Sequence, residues 1–113
     1  MNTRLPTHLE VTGLIRAVEA AGGFATVLAK GERDAGTLLI STLGRGEQAR
    51  LYERMPQLDG DRMFSVTREQ DPDNPMEFNE YLTKRSQLDP DIWIVELDIA
   101  DPARFVALQH KPR

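Results

Sequence analysis

The chain has 113 residues, 40% of them apolar and 28% charged, which predicts one folded domain over residues 1–113 and excludes wholesale disorder. It has no cysteine, which removes disulfides, thiolate nucleophiles and Cys-ligated zinc. The net charge of −4 is uneven, with seven basic and six acidic side chains from Met1 to Met55 but four basic and twelve acidic from Asp59 to Asp101. That acidic half argues against a nucleic-acid partner, because phosphate neutralisation needs clustered Lys and Arg.

The N-terminal stretch MNTRLPTHLE has no apolar signal core, so the chain is expected in the cytoplasm. No apolar run approaches the roughly 18 residues of a membrane span. Thr7 followed three residues later by Glu10 predicts a capping box at the start of a first helix. Val11, Leu14, Ile15 and Val18 then repeat with the spacing of one buried helical face. Gly22-Gly23 end that helix, since glycine takes the left-handed C-terminal conformation without a Cβ clash.

Phe24 to Ala29 reads as a first strand and Thr37 to Leu43 as a second. Between them Gly31 and Gly36 bracket Glu32, Arg33 and Asp34, a charged segment expected to be a hairpin turn; Gly44-Arg45-Gly46-Glu47 reads as another. Gln48 to Met55 alternates, with Ala49, Leu51 and Met55 on one side and Arg50, Tyr52 and Arg54 on the other. One of those faces is expected on the core and one in solvent or a groove. Asp59-Gly60 supplies a turn before a fourth strand at Met63 to Arg68. The short connections imply an antiparallel meander of four strands.

Gln70 to Pro75 is a polar loop in which Asn74, Pro75 and Glu77 predict the capped start of a second helix running to Leu88. Its inward residues are Phe78, Tyr81 and Leu82. Ile92 to Ile99 (IWIVELDI) is the most apolar strand, expected near the middle of the sheet beside a meander strand and parallel to it, with the second helix as crossover. Trp93, Val95, Leu97 and Ile99 share one of its faces, while Ile92, Ile94, Glu96 and Asp98 share the other. Asp101-Pro102 starts a short C-terminal helix through about Gln109.

Few residues here carry chemistry. His8 and His110 lie near opposite ends with no third ligand in suitable spacing, so neither a metal nor a cofactor is expected. Asp71, Asp73 and Asn74 lack the glycine and the bidentate glutamate of a calcium loop. The Gly31–Gly36 segment, with Lys30 and Arg33, has neither the spacing of a phosphate loop nor a helix after it. Glu96 and Asp98 are carboxylates on an otherwise apolar strand and need partners, for which Arg50 and Arg54 are the obvious candidates.

Four blocks together resemble one bacterial family: RLPTHLEV (Arg4 to Val11), AAGGFATVLAKGERDAG (Ala20 to Gly36), YERMPQLDG (Tyr52 to Gly60) and DPDIWIVELDI (Asp89 to Ile99). It is the family catalogued as domain of unknown function 1491. The resemblance implies a compact α+β domain standing alone, and it carries over no catalytic or binding residue.

The fold predicted is therefore α+β: an N-terminal helix, an antiparallel four-strand meander, a second helix, a fifth strand and a short C-terminal helix. Two functions stay open. One is a non-enzymatic interaction module that binds a protein partner or itself, with Tyr52 and Met55 contributing to a homodimer surface. The other is a small-ligand binder or enzyme for an anionic metabolite, using Lys30, Arg33 and Arg54 with Glu96 or Asp98 as base.

Overall fold

The computed structural model describes residues 5–43, 47–60 and 62–109; the Gly44–Gly46 part of the predicted glycine-rich connection, and His110, lie outside them. The elements run α1 (Thr7–Ala20), β1 (Phe24–Ala29), β2 (Leu38–Leu43), β3 (Arg50–Pro56), β4 (Arg62–Glu69), α2 (Met76–Leu88), β5 (Trp93–Asp98) and α3 (Pro102–Ala107). None of these helices is long and apolar enough to cross a membrane.

α1 buries the predicted stripe of Val11, Leu14 and Val18. It ends as its glycines dictate. Gly22 has φ of 85°, its N–H donates to the Glu19 carbonyl at 3.0 Å, and the Gly23 N–H donates to the Val18 carbonyl at 2.9 Å. These are the paired bonds of a Schellman motif. The start of α1 departs from the capping box. Thr7 and His8 donate their backbone N–H groups to the carbonyls of Asp34 and Arg33 at 3.1 and 2.9 Å. The Thr7 hydroxyl donates to the Gly36 carbonyl at 2.7 Å, and no side chain caps the helix. Glu10 is instead engaged by Arg54 of β3. Backbone carbonyls brought in from the connection after β1 satisfy the orphan donors that a cap would otherwise serve.

The sheet order is β1-β5-β2-β3-β4. β2, β3 and β4 form the antiparallel meander, and β5 runs parallel to β2, as the helical crossover predicts. The expected four-strand meander is corrected to three strands, because β5 inserts between β1 and β2 and pairs antiparallel with β1. The reason is burial: Trp93, Val95 and Leu97 are covered on one face of β5 and Ile94 on the other. A strand apolar on both faces belongs inside a sheet.

Since β5 separates β1 from β2, the segment between them is a crossing connection and not the hairpin turn expected. Its glycines answer to crowding. Gly31 and Gly36 both abut the Asp91 carbonyl more closely than any Cβ would tolerate, whereas the described glycines with positive φ are Gly22 and Gly60. The Glu32 N–H donates to that same carbonyl at 3.1 Å. Trp93 anchors the crossing from below. Its indole N–H donates to the Glu32 carbonyl at 2.7 Å, and its backbone N–H donates to the Thr37 carbonyl at 2.8 Å.

One apolar cluster gathers Val11, Leu14 and Val18 of α1 and Val106 of α3 against Leu38, Ile40, Tyr52, Trp93, Val95 and Leu97. The opposite cluster joins Phe78 and Leu82 of α2 to Leu39, Leu51 and Ile94. Tyr52, expected to contribute to an exposed homodimer surface, is buried because the face it shares with Ile40 is the covered one. It is removed from the proposed homodimer surface, while Met55 remains exposed. α2 begins at Met76 behind Pro75, without a cap from the Asn74 side chain.

The crossing loop and an open helical glycine make a matched test. Gly36→Ala is expected to cost about 1–3 kcal/mol through overpacking against Asp91. Gly13→Ala, inside α1 with nothing within 4 Å of where its Cβ would sit, is expected to gain about 0.5–1 kcal/mol. Urea denaturation of both variants measures the contrast; equal midpoints would mean that the loop has room at Gly36.

Candidate functional site

The alternation of β5 sends Glu96 to the face covered by α2, alongside Ile94. On one side its register partner is Thr26 of β1, and on the other it is Ser41 of β2. Partners in register point to the same face, so Thr26, Glu96 and Ser41 form one row across three strands. β1 follows β5 regularly from Phe24 to Val27 and then shifts register before Ala29. This bulge brings Leu28 beside Ala29 at the rim of a groove of about 310 Å³. Asn79, Leu82, Thr83 and Ser86 of α2 form its opposite wall, and Glu96 and Ile94 line it from β5.

The electrostatics of the molecule single out Glu96. Four other glutamates each meet an arginine across elements: Glu10 with Arg54, Glu53 with Arg85, Glu69 with Arg50 and Glu77 with Arg68. Arg85 grips both Glu53 oxygens at 3.0 and 3.1 Å. Those bonds hold the Glu53 carboxyl below the usual range against the opposing effect of burial, and a bond from the Thr67 hydroxyl assists. Glu96 has no such partner among the described residues. Burial pushes its pKa up, and the neighbouring Asp98 charge adds to the rise. Beside it the Ser41 hydroxyl is buried without a hydrogen-bond partner.

The residues singled out from sequence do not share one pocket. Glu96 and Asp98 occupy one face of β5, as the alternation predicts. Lys30 and Arg33 lie in the exposed crossing connection by the opposite end of that strand, where Arg33 faces Asp34 at 3.8 Å. Arg54 shares the α1 face with Tyr52, stacks its guanidinium 4.6 Å from the centre of the Phe64 ring and pairs with Glu10. Neither Arg50 nor Arg54 reaches Glu96, because both project to the face away from α2. A larger groove of about 670 Å³ is lined by Arg54 and Arg62 but also by Glu10 and Glu53, so it offers no net positive charge to an anion. Asp71 turns its carboxylate to the Asp73 N–H at 2.9 Å.

Ser41, Leu28, Asn79, Thr83 and Ser86 were not legible as site residues. Strand alternation gives the faces of Ser41 and Leu28 but not their neighbours, and the bulge that puts Ala29 on the same face as Leu28 leaves no mark in FATVLA.

The family model described as "Protein of unknown function (DUF1491)" matches residues 5–107. Solved structures agree. The crystal structure of a DUF1491 family protein from Caulobacter crescentus CB15 is 34% identical, with a TM-score of 0.76 over 90% of this chain and 94% of that one. The NMR structure of a DUF1491 family protein from the same organism is 32% identical, with a TM-score of 0.74 over 93% and 94%. The solution structure of protein Atu0922 from A. tumefaciens is 28% identical, with a TM-score of 0.71 over 98% and 99%. No curated protein matches the chain.

Glu53 and Glu96 predict pH effects of opposite sign. A lowered folded pKa gives Glu53 a stabilising contribution that is present above its unfolded pKa and lost as the pH falls through the folded value. A raised folded pKa makes ionised Glu96 a liability that grows as the pH rises from the unfolded value through the folded one. At neutral pH, Glu53→Gln is expected to cost about 1–2 kcal/mol, and Glu96→Gln to raise the thermal midpoint. Both differences should shrink on acidification, as thermal melts across the acid range would record. A Glu96→Gln variant that melts lower at neutral pH would contradict this account.

Proposed function

The chain belongs to the DUF1491 family, whose description assigns no function, and from that premise we propose that it is a non-enzymatic interaction module that receives an extended segment of a partner protein along the edge of β1. The observation that carries this reading is the contrast between the two edges of the sheet. β4 is guarded by Arg62, Arg68 and Glu69, charges of the kind that discourage strand pairing. β1, with the sequence FATVLA, has no charge and no proline. Phe24 is 70% exposed, Val27 40% and Leu28 45%. An exposed apolar edge offers a row of backbone donors and acceptors to an added strand, with side-chain contacts supplying selectivity.

A second copy of the chain is one such partner, since antiparallel pairing of β1 with its own symmetry mate would extend one sheet across both copies. The alternative of an anionic metabolite draws less support, because Lys30, Arg33 and Arg54 stand apart from Glu96 and Asp98.

Photocrosslinking in cells tests the edge directly. A benzophenone side chain at Thr26 of β1 is expected to give a discrete covalent adduct, and the same probe at Thr67 of β4 is expected to give none. An adduct of twice the chain mass identifies a homodimer, and another mass identifies a different partner. Equal labelling from both edges, or none from β1, would refute the proposal.

A further inference from the structure

The Glu96 groove lies one strand inside the β1 edge, and its chemistry specifies what an added strand should carry. Resting on the edge reading above, we infer that this groove is a subsite for one lysine or arginine side chain of the added strand, held by the Glu96 carboxylate, with apolar residues two positions to either side. Glu96 is partly buried and, among the described residues, unmatched by any basic side chain. A carboxylate so placed gains most from a cation delivered from outside the chain.

The register makes the delivery geometric. A strand laid along β1 places one residue opposite Thr26 with its side chain on the α2 face. Strands sit about 4.8 Å apart, so that residue and Glu96 are roughly 10 Å apart at their Cα atoms. Thr26 between them is short and exposed, and the stem of a lysine or arginine can lie across it. The two added-strand residues on the same face, two positions before and after, fall over Phe24 and Leu28, both exposed. A strand with the pattern apolar-x-cation-x-apolar fits this face.

The far side of Glu96 is prepared as well. Ser41 is 1% exposed, it stands beside Glu96 in the parallel register, and its hydroxyl is unpartnered. Three strand spacings put it roughly 14 Å from the added residue, beyond a guanidinium's reach, so its part is to offer the Glu96 carboxylate a neighbouring hydroxyl donor. Asn79, Thr83 and Ser86 add polar groups from α2. A metal ion is a poorer occupant, since no group of three or more His, Cys, Asp or Glu among the described residues gathers to hold one.

The probe is the blocked heptapeptide TLTRTLT, titrated into the full chain and followed by backbone amide NMR, with TLTETLT as its charge-reversed control. The expected result is that amides of Phe24 to Ala29 and of Glu96 shift, with the arginine peptide binding at least about fivefold more tightly. Glu96→Gln should abolish most of that preference. Asp59→Asn, which removes the same charge at the β3–β4 turn, should keep it. Equal affinity of the two peptides, or a preference that survives Glu96→Gln, overturns the cationic subsite and leaves the edge reading standing if β1 amides shift. Silent β1 amides with both peptides remove the edge reading and the subsite together.

Discussion

The fold turns on one crowded crossing, where the connection from β1 to β2 passes over the start of β5. Gly31 and Gly36 press on the Asp91 carbonyl, and Trp93 is fastened to Glu32 and Thr37 from beneath. From this contact the other features follow. β5 can lie between β1 and β2 only because the connection clears it, and α1 begins where it does because the same loop presents Arg33, Asp34 and Gly36 carbonyls to Thr7 and His8. β1 is left at the margin of the sheet, with no strand on its outer side among the described residues. The glycines are needed for proximity, since any Cβ would strike a main-chain atom that cannot move aside without dislodging β5.

Much of this was legible in the chain. Helix faces and the two faces of β5 follow from periodicity, which reports orientation relative to a core, and Val11, Phe78, Trp93 and Ile94 all lie where their spacing puts them. Neighbour relations were not legible in the same way. Nothing local in FATVLA distinguishes a strand paired with its successor from one paired with a strand near the other end of the chain. The capping box at Thr7 and Glu10 had the right residue types, yet a loop distant in sequence supplied better acceptors and freed Glu10 for Arg54. Glu96 could be named from composition, whereas its isolation from Arg50 and Arg54 required knowing which face each occupies.

Charge counts along the chain do not tell which charges are paired. Two glutamates of the acidic second half meet arginines, Glu69 of β4 with Arg50 of β3 and Glu77 of α2 with Arg68 of β4, whose guanidinium also lies 3.8 Å from the centre of the Tyr81 ring, and Arg85 of α2 reaches Glu53 of β3. The last two bonds moor α2 to the β3–β4 side of the sheet. The opposite side of α2, facing β1, has no comparable tether among the described residues, and there the groove opens. An uneven distribution of ion pairs thus decides where the helix clings and where it leaves room.

The insertion of β5 between β1 and β2 also orders events in time. Phe24 finds its strand partner only at Asp98, and Leu38 finds one of its partners only at Trp93. On a ribosome, β2, β3 and β4 can assemble while β1 waits, because the strand that joins it to the rest emerges after all of them. Contacts of such long sequence separation slow folding, since loop entropy is lost before pairing repays it. Closure of the sheet therefore comes late, and until then an apolar strand has both edges open to other chains.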